Sequence, residues 1–109
     1  MNTDNTLAQM KKGVLEMCIL SIIREKDVYA SDILAELKRS ELIVVEGTLY
    51  PLLTRIKNSG FIEYYWEESK AGPPRKYFRI TPAGTTTLQN QRESWEILVA
   101  SVSNIINKQ

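Results

Sequence analysis

Histidine is absent from the 109-residue chain. That removes the side chain most often used as a general base and as a metal ligand. Asp and Glu do not compensate: apart from Glu67-Glu68 they are scattered, so no carboxylate-only metal site is expected. With no cofactor motif either, an enzyme is not the expected class. The lone cysteine, Cys18, cannot close a disulfide within the chain. It lies in the run Met17-Cys18-Ile19-Leu20, where buried packing rather than reactive-thiol chemistry is expected. No segment approaches the ~18 apolar residues of a membrane span. The polar start, Met1 to Thr6, lacks the pattern of a signal peptide. No membrane partner and a cytoplasmic location are therefore expected. Net charge is also slight, at +1. It neither demands nor excludes a nucleic-acid partner, so the placement of charge has to decide.

What is present fits one domain, residues 1–109, with about 7–81 as a head and about 82–107 as a projecting helix. The expected fold is mostly α with a small β-hairpin: three helices, the hairpin, then one long helix. A first helix is predicted over roughly 7–24, apolar on most of its girth. Leu7, Met10, Val14, Met17 and Ser21 share one side, and Leu15, Ile19, Ile22 and Ile23 another. A subunit interface would explain that girth, and a domain this small favours an oligomer. A second helix is predicted over 29–40. A third is predicted from Glu46 to Ser59, with Leu49, Leu52, Leu53 and Ile56 on one face and Gly60 as its stop. Phe61 to Glu67 and Arg75 to Ile80 read as strands, and Glu68 to Pro74 as the turn between them. Thr81-Pro82 starts the last helix, in which Gly84 is tolerable. Its apolar residues Leu88, Trp95, Leu98, Val102 and Ile105 recur at a/d heptad spacing, broken at Gln91. A homodimer seam is expected there, packing with the first helix. Met10, Val14, Trp95, Leu98, Val102 and Ile105 are its expected residues.

Helix, helix, helix, hairpin is the order of a winged helix, whose third helix enters the DNA major groove. With the leucines inward, Gly47, Pro51, Thr54 and Asn58 point outward, flanked by Tyr50 and Arg55. Arg and Asn can read guanine and adenine, and hydroxyls can reach phosphates. The plain alternative is a solvated face. Pro51 either bends the helix start, beside Gly47, or marks a helix that begins late, near Tyr50. Lys70, Arg75, Lys76 and Arg79 fall within ten residues without an acid among them. They suit phosphates, and cross-strand pairing with Glu63, Glu67 and Glu68 is equally compatible with the pattern. Arg79 can pair while Lys70, Arg75 and Lys76 face DNA. For Tyr64, Trp66, Tyr77 and Phe78, sheet packing is preferred over base stacking.

The stretches Glu46–Ile62 (EGTLYPLLTRIKNSGFI) and Gly72–Gly84 (GPPRKYFRITPAG) resemble the PadR family of bacterial transcriptional regulators. The segment Gly13–Ile23 is similar to that family's first helix, and the chain is similar to its short subgroup. The resemblance implies a dimeric winged helix-turn-helix repressor of double-stranded operator DNA, with the last helix and the first forming the dimer. It carries DNA contact onto Thr48, Tyr50, Pro51, Thr54, Arg55, Arg75 and Lys76, which join Asn58 and Lys70 from the pattern above. Val45 departs from the usual capping Ser or Asn, and Thr54 and Asn58 stand where a basic residue is common. The stretch Glu93–Ile106 resembles the last helix of a multidrug-sensing repressor of the family, in which a tryptophan stacks planar aromatic drugs between subunits. That resemblance implies a hydrophobic aromatic ligand at Met17, Ser21, Leu88, Trp95 and Val99. Two Trp95 rings simply filling a dimer core is the alternative. A protein-binding winged helix without sequence-specific DNA recognition remains the other functional reading.

Overall fold

The hydrophobic residues that the sequence spaces at helical intervals converge on one centre, built from all but the first helix. The computed structural model describes residues 3–108. Its elements are α1 (Thr3–Lys11), α2 (Leu15–Glu25), α3 (Ala30–Arg39), α4 (Glu46–Asn58), β1 (Ile62–Ser69), β2 (Gly72–Ile80) and α5 (Pro82–Ile106). Ile19, Leu20 and Ile23 of α2 meet Ile33 and Leu37 of α3, Leu49, Leu53 and Ile56 of α4, Ile62 and Phe78 of the hairpin, and Leu88 of α5. This order of elements is that of a winged helix, as expected.

The expected first helix is two helices. The chain turns at Lys12-Gly13-Val14, so the Leu7-Met10-Val14-Met17 stripe is interrupted. The apolar girth of α2 is largely explained within one chain, because α3, β2 and α5 each pack on it. What stays exposed is α1, with Leu7 and Met10 open to solvent. Lys11 ties its end to the loop before α4 by donating to the Ile43 carbonyl at 2.6 Å.

α3 and α4 end alike. Leu42 N–H donates to Leu37 O and Glu41 N–H to Lys38 O; Phe61 N–H donates to Ile56 O and Gly60 N–H to Lys57 O. These six-residue and four-residue closures satisfy the last carbonyls and need a left-handed residue after the helix. Gly60 supplies it at φ 84°, and Glu41 adopts it at φ 64° despite its side chain. The turn at Gly60 feeds α4 directly into β1.

β1 and β2 form an antiparallel pair with Ile62 opposite Ile80, Tyr64 opposite Phe78, Trp66 opposite Lys76 and Glu67 opposite Arg75. The strands run further than expected. Pro73 and Pro74 lie inside β2, and the register is irregular between Glu67 and Ser69. A two-stranded sheet has two free edges, where a missing N–H costs no ladder bond, and a bulge absorbs the rest.

The start of α5 is locked to the end of α4. Thr81 Oγ1 donates to Gly60 O at 2.6 Å and accepts from Gly84 N–H at 3.0 Å, while Thr81 N–H donates to Phe61 O. Gly84 is more than tolerated. A Cβ there would lie 2.0 Å from the Phe61 carbonyl oxygen. The Thr-x-x-Gly spacing thus lets helix backbone press against strand backbone.

Candidate nucleic-acid interface

α4 begins at Glu46, not late, so Pro51 is inside the helix and exposed. Val45 caps it without a side-chain bond; its carbonyl accepts from Thr48 N–H and Leu49 N–H at 3.0 Å. With Leu49, Leu53 and Ile56 buried, Thr48, Tyr50, Pro51, Thr54 and Asn58 are all exposed. Thr54 Oγ1 donates to Tyr50 O at 3.1 Å, so its hydroxyl must turn before it can donate to a phosphate. The face is smooth and polar, bordered by a cation on each flank.

One flank is Arg55. It turns toward α2, where its Nη2 lies 3.8 Å from Glu16 Oε1. The other is Lys57, which the sequence reading passed over because it sits one step off the outward pole. Its Nζ lies 5.4 Å from the Tyr64 ring centre. Lys76 approaches the same ring from β2 at 4.0 Å. Tyr64 therefore draws together a cation of the helix and a cation of the wing, an arrangement its ring quadrupole favours.

The wing's basic residues divide between its faces, because successive strand residues alternate. Lys76 shares a face with Tyr64, Trp66 and Phe78 and is half-buried over them. Arg75 lies on the opposite face, over the Tyr29 ring at 5.2 Å. Arg79 is paired with Glu63 at 2.8 Å, and Lys70 is exposed in the two-residue turn. So Lys70 and Arg75 keep their charges toward solvent, while Lys76 is partly committed to aromatic faces. Sheet packing describes Phe78 and Tyr77, but Trp66 is 62% exposed beside the α4 side of the wing.

On Arg75's face, Tyr77 stacks between Tyr29 (4.0 Å) and Tyr65 (5.5 Å). Tyr65 Oη donates to Asp27 Oδ2 at 2.7 Å. That bond holds the Tyr65 hydroxyl above its ordinary pKa. Tyr77 is pushed up to about 12, chiefly by hydrogen bonding with Tyr29 and then by desolvation. The stack fixes the wing to the start of α3.

A second feature lies along α5. Trp95, 43% exposed, stands between two grooves. One, of about 440 Å³, is lined by Val14, Glu16, Met17, Arg55, Gln91 and Leu98, among others. The other, of about 340 Å³, includes Met17, Ser21 and Arg92. Of the residues expected around a ligand, Met17 and Ser21 thus do meet Trp95's surroundings. Leu88 does not: it is 1% exposed, packed in the core of the head, and so lies outside both the grooves beside Trp95 and the expected seam. Val99 lies a turn beyond Trp95, exposed, and lines neither groove. Met10, Leu98, Val102 and Ile105 are all exposed, and Val14 is half-buried in the turn before α2.

A head with a polar helix face beside a cationic hairpin is a winged helix-turn-helix of the DNA-reading kind. The description of the "Transcriptional regulator PadR-like family" matches residues 19–90. A PadR-like transcription factor from Bacteroides fragilis is 50% identical, covering 93% of this chain and 98% of its own, with a TM-score of 0.78. A PadR-like regulator from Bacillus cereus is 38% identical over 93% and 99%, with a TM-score of 0.83. A transcriptional regulator of Mycobacterium tuberculosis is 29% identical, over 88% of this chain and 89% of its own. The chain belongs to the PadR-like family of transcriptional regulators.

Proposed function

We propose that the protein is a homodimeric repressor that reads operator DNA through α4 and the wing and is released by a planar aromatic molecule held beside Trp95. The observation that carries the DNA half is the α4 face. Thr48, Tyr50, Pro51, Thr54 and Asn58 are exposed together, with Arg55 and Lys57 at its borders and Lys70 and Arg75 on the adjoining wing. Phosphates would be taken by the cations, and base edges by Asn58 and the hydroxyls. Two copies related by a two-fold axis would present two such faces to successive major grooves.

The dimer half is supported by α5. Trp95, Leu98, Val99, Val102 and Ile105 are between 41% and 74% exposed. A contiguous apolar face of this kind marks an association surface. Two Trp95 rings brought together there would leave a slot suited to a flat ring system. To regulate anything, the ligand must prefer the dimer shape that DNA does not.

Titration of a labelled duplex carrying the gene's own upstream region, at low and moderate salt, tests the DNA half. The expected result is binding whose affinity falls steeply with salt. Absent or salt-insensitive binding would favour a protein-binding winged helix instead. Quenching of tryptophan fluorescence by planar aromatic dyes tests the ligand half, with Trp95→Ala separating Trp95 from Trp66. Equal quenching in both proteins rules out the Trp95 site.

A further inference from the structure

Among the described residues, Glu16 is the one acidic side chain shown to pair with both the proposed DNA-reading helix and the helix of the Trp95 groove. Its Oε2 accepts from Gln91 Nε2 at 2.6 Å, across 75 residues of sequence. Its Oε1 lies 3.8 Å from Arg55 Nη2. The geometry is unequal: the bond to Gln91 is short, and the ion pair to Arg55 is long. The carboxylate also fixes the amide of Gln91, because the reverse orientation would point carbonyl oxygen at carboxylate. Gln91 Oε1 is thereby left buried without a hydrogen-bond partner among the described residues. Gln91 is therefore held by one bond at the wall of the groove, and all three side chains line that same groove.

We infer that Glu16 is a positioning residue that links the Trp95 groove to DNA reading, by dividing its carboxylate between Gln91 and Arg55. The inference rests on the DNA-binding reading above. While Gln91 holds one oxygen, Arg55 is restrained weakly and its guanidinium, which is largely exposed, is free to leave for a phosphate. When Gln91 is drawn away, the carboxylate loses its best donor and takes Arg55 more tightly. Arg55 then turns toward α2 and away from the duplex. A molecule seated beside Trp95 that captures the Gln91 amide would act in this way, with no movement of α4 required. The polar break in the apolar spacing of α5 thus has a use.

The prediction is that two substitutions outside the DNA face change affinity in opposite directions. Binding to a random-sequence duplex of about 30 base pairs, measured over a range of salt, reads the phosphate contacts. Glu16→Gln frees Arg55 and is expected to tighten binding about threefold to tenfold. The slope of log affinity against log salt should steepen by about 0.9 for each Arg55 that engages a phosphate. Gln91→Leu is expected to weaken binding about threefold and to flatten the slope. The double variant should match Glu16→Gln alone, since Gln91 acts through Glu16. Removing a negative charge also strengthens DNA binding at long range, so both changes are repeated in Arg55→Ala. There the effect of Gln91→Leu should vanish and that of Glu16→Gln should shrink. Gln91→Met serves if Gln91→Leu unfolds, with melting by circular dichroism as the check.

Equal effects with and without Arg55 overturn the inference, as does weakening by both substitutions, which a purely structural role would give. Failure of the unaltered protein to bind any duplex overturns the DNA-binding reading itself, and is distinguished by appearing before any substitution is made.

Discussion

The two halves of α5 carry the same kind of residue at the same kind of spacing and meet different fates. From Pro82 to Gln91 the helix is part of the head. Gly84 presses on Phe61, Leu88 is in the core, and Gln91 reaches Glu16. From Arg92 to Ile106 its large apolar residues face outward, Ile105 by 74%. A helical stripe reports that a face will be buried. It is silent on whether the burying partner is the same chain or another. The first half is closed by backbone contacts that no second copy could supply. The second half extends a molecule measuring 60 × 33 × 21 Å beyond what its own head can cover.

The largest effect should come from breaking the first half. In Gly84→Ala, the new methyl would sit well inside van der Waals contact distance of the Phe61 backbone oxygen at the α4–β1 junction. Neither backbone can yield without moving its element, so the cost should reach the upper end of overpacking, about 3 kcal/mol. Thermal unfolding should show a lowered Tm at every protein concentration. An unchanged Tm would mean that the contact between α5 and Phe61 is looser than the geometry indicates.

Breaking the second half should act differently. Leu98→Glu places a carboxylate in the expected seam, where two copies would have to desolvate it. Association should weaken roughly a hundredfold or more, read by sedimentation, while the head keeps its helical signal. If Leu98→Glu leaves the oligomeric state alone, the exposed half of α5 is not the seam. The contrast with Gly84→Ala lies in concentration dependence: the first variant is unstable at any dilution, the second behaves like unaltered protein that has been diluted.

The same contrast explains what could be read in advance. The order of elements, the buried leucines of α4 and the Thr81-Pro82 start of α5 follow from periodicity and turn chemistry, which are local. The break at Lys12–Val14 was not legible, because Val14 keeps the apolar spacing that runs from Leu7 and Met10 to Met17. Pro73 and Pro74 suggested a turn, since a sequence does not reveal which strand edge is free. Leu88 keeps heptad step with Trp95, so spacing alone puts it on the same stripe, while the fold buries it in the core of the head. On the candidate interface, the outward face of α4 was legible from its inward one. The turning of Arg55 to Glu16 joins residues 39 positions apart, and that of Lys57 and Lys76 to Tyr64 depends on how α4 meets the hairpin, which no spacing encodes. Gly84 showed as a motif residue, but its reason is a carbonyl 23 positions earlier.

Thr81 offers the mildest probe of the first half. Its hydroxyl is used twice, as an acceptor from Gly84 N–H and as a donor to the carbonyl of Gly60. Thr81→Ser keeps both bonds and should change stability little. Thr81→Ala loses the cap and leaves Gly60 O to solvent, for a cost of about 1 kcal/mol. Because Gly60 follows α4 and Thr81 caps α5, the same hydroxyl is one of the ties that join α4 to α5. Thr81→Ala should therefore weaken duplex binding by more than its small loss of stability accounts for, with any association between copies unchanged. Binding by Thr81→Ala that matches Thr81→Ser would show that the two halves of α5 act independently and that the joint merely holds the head together.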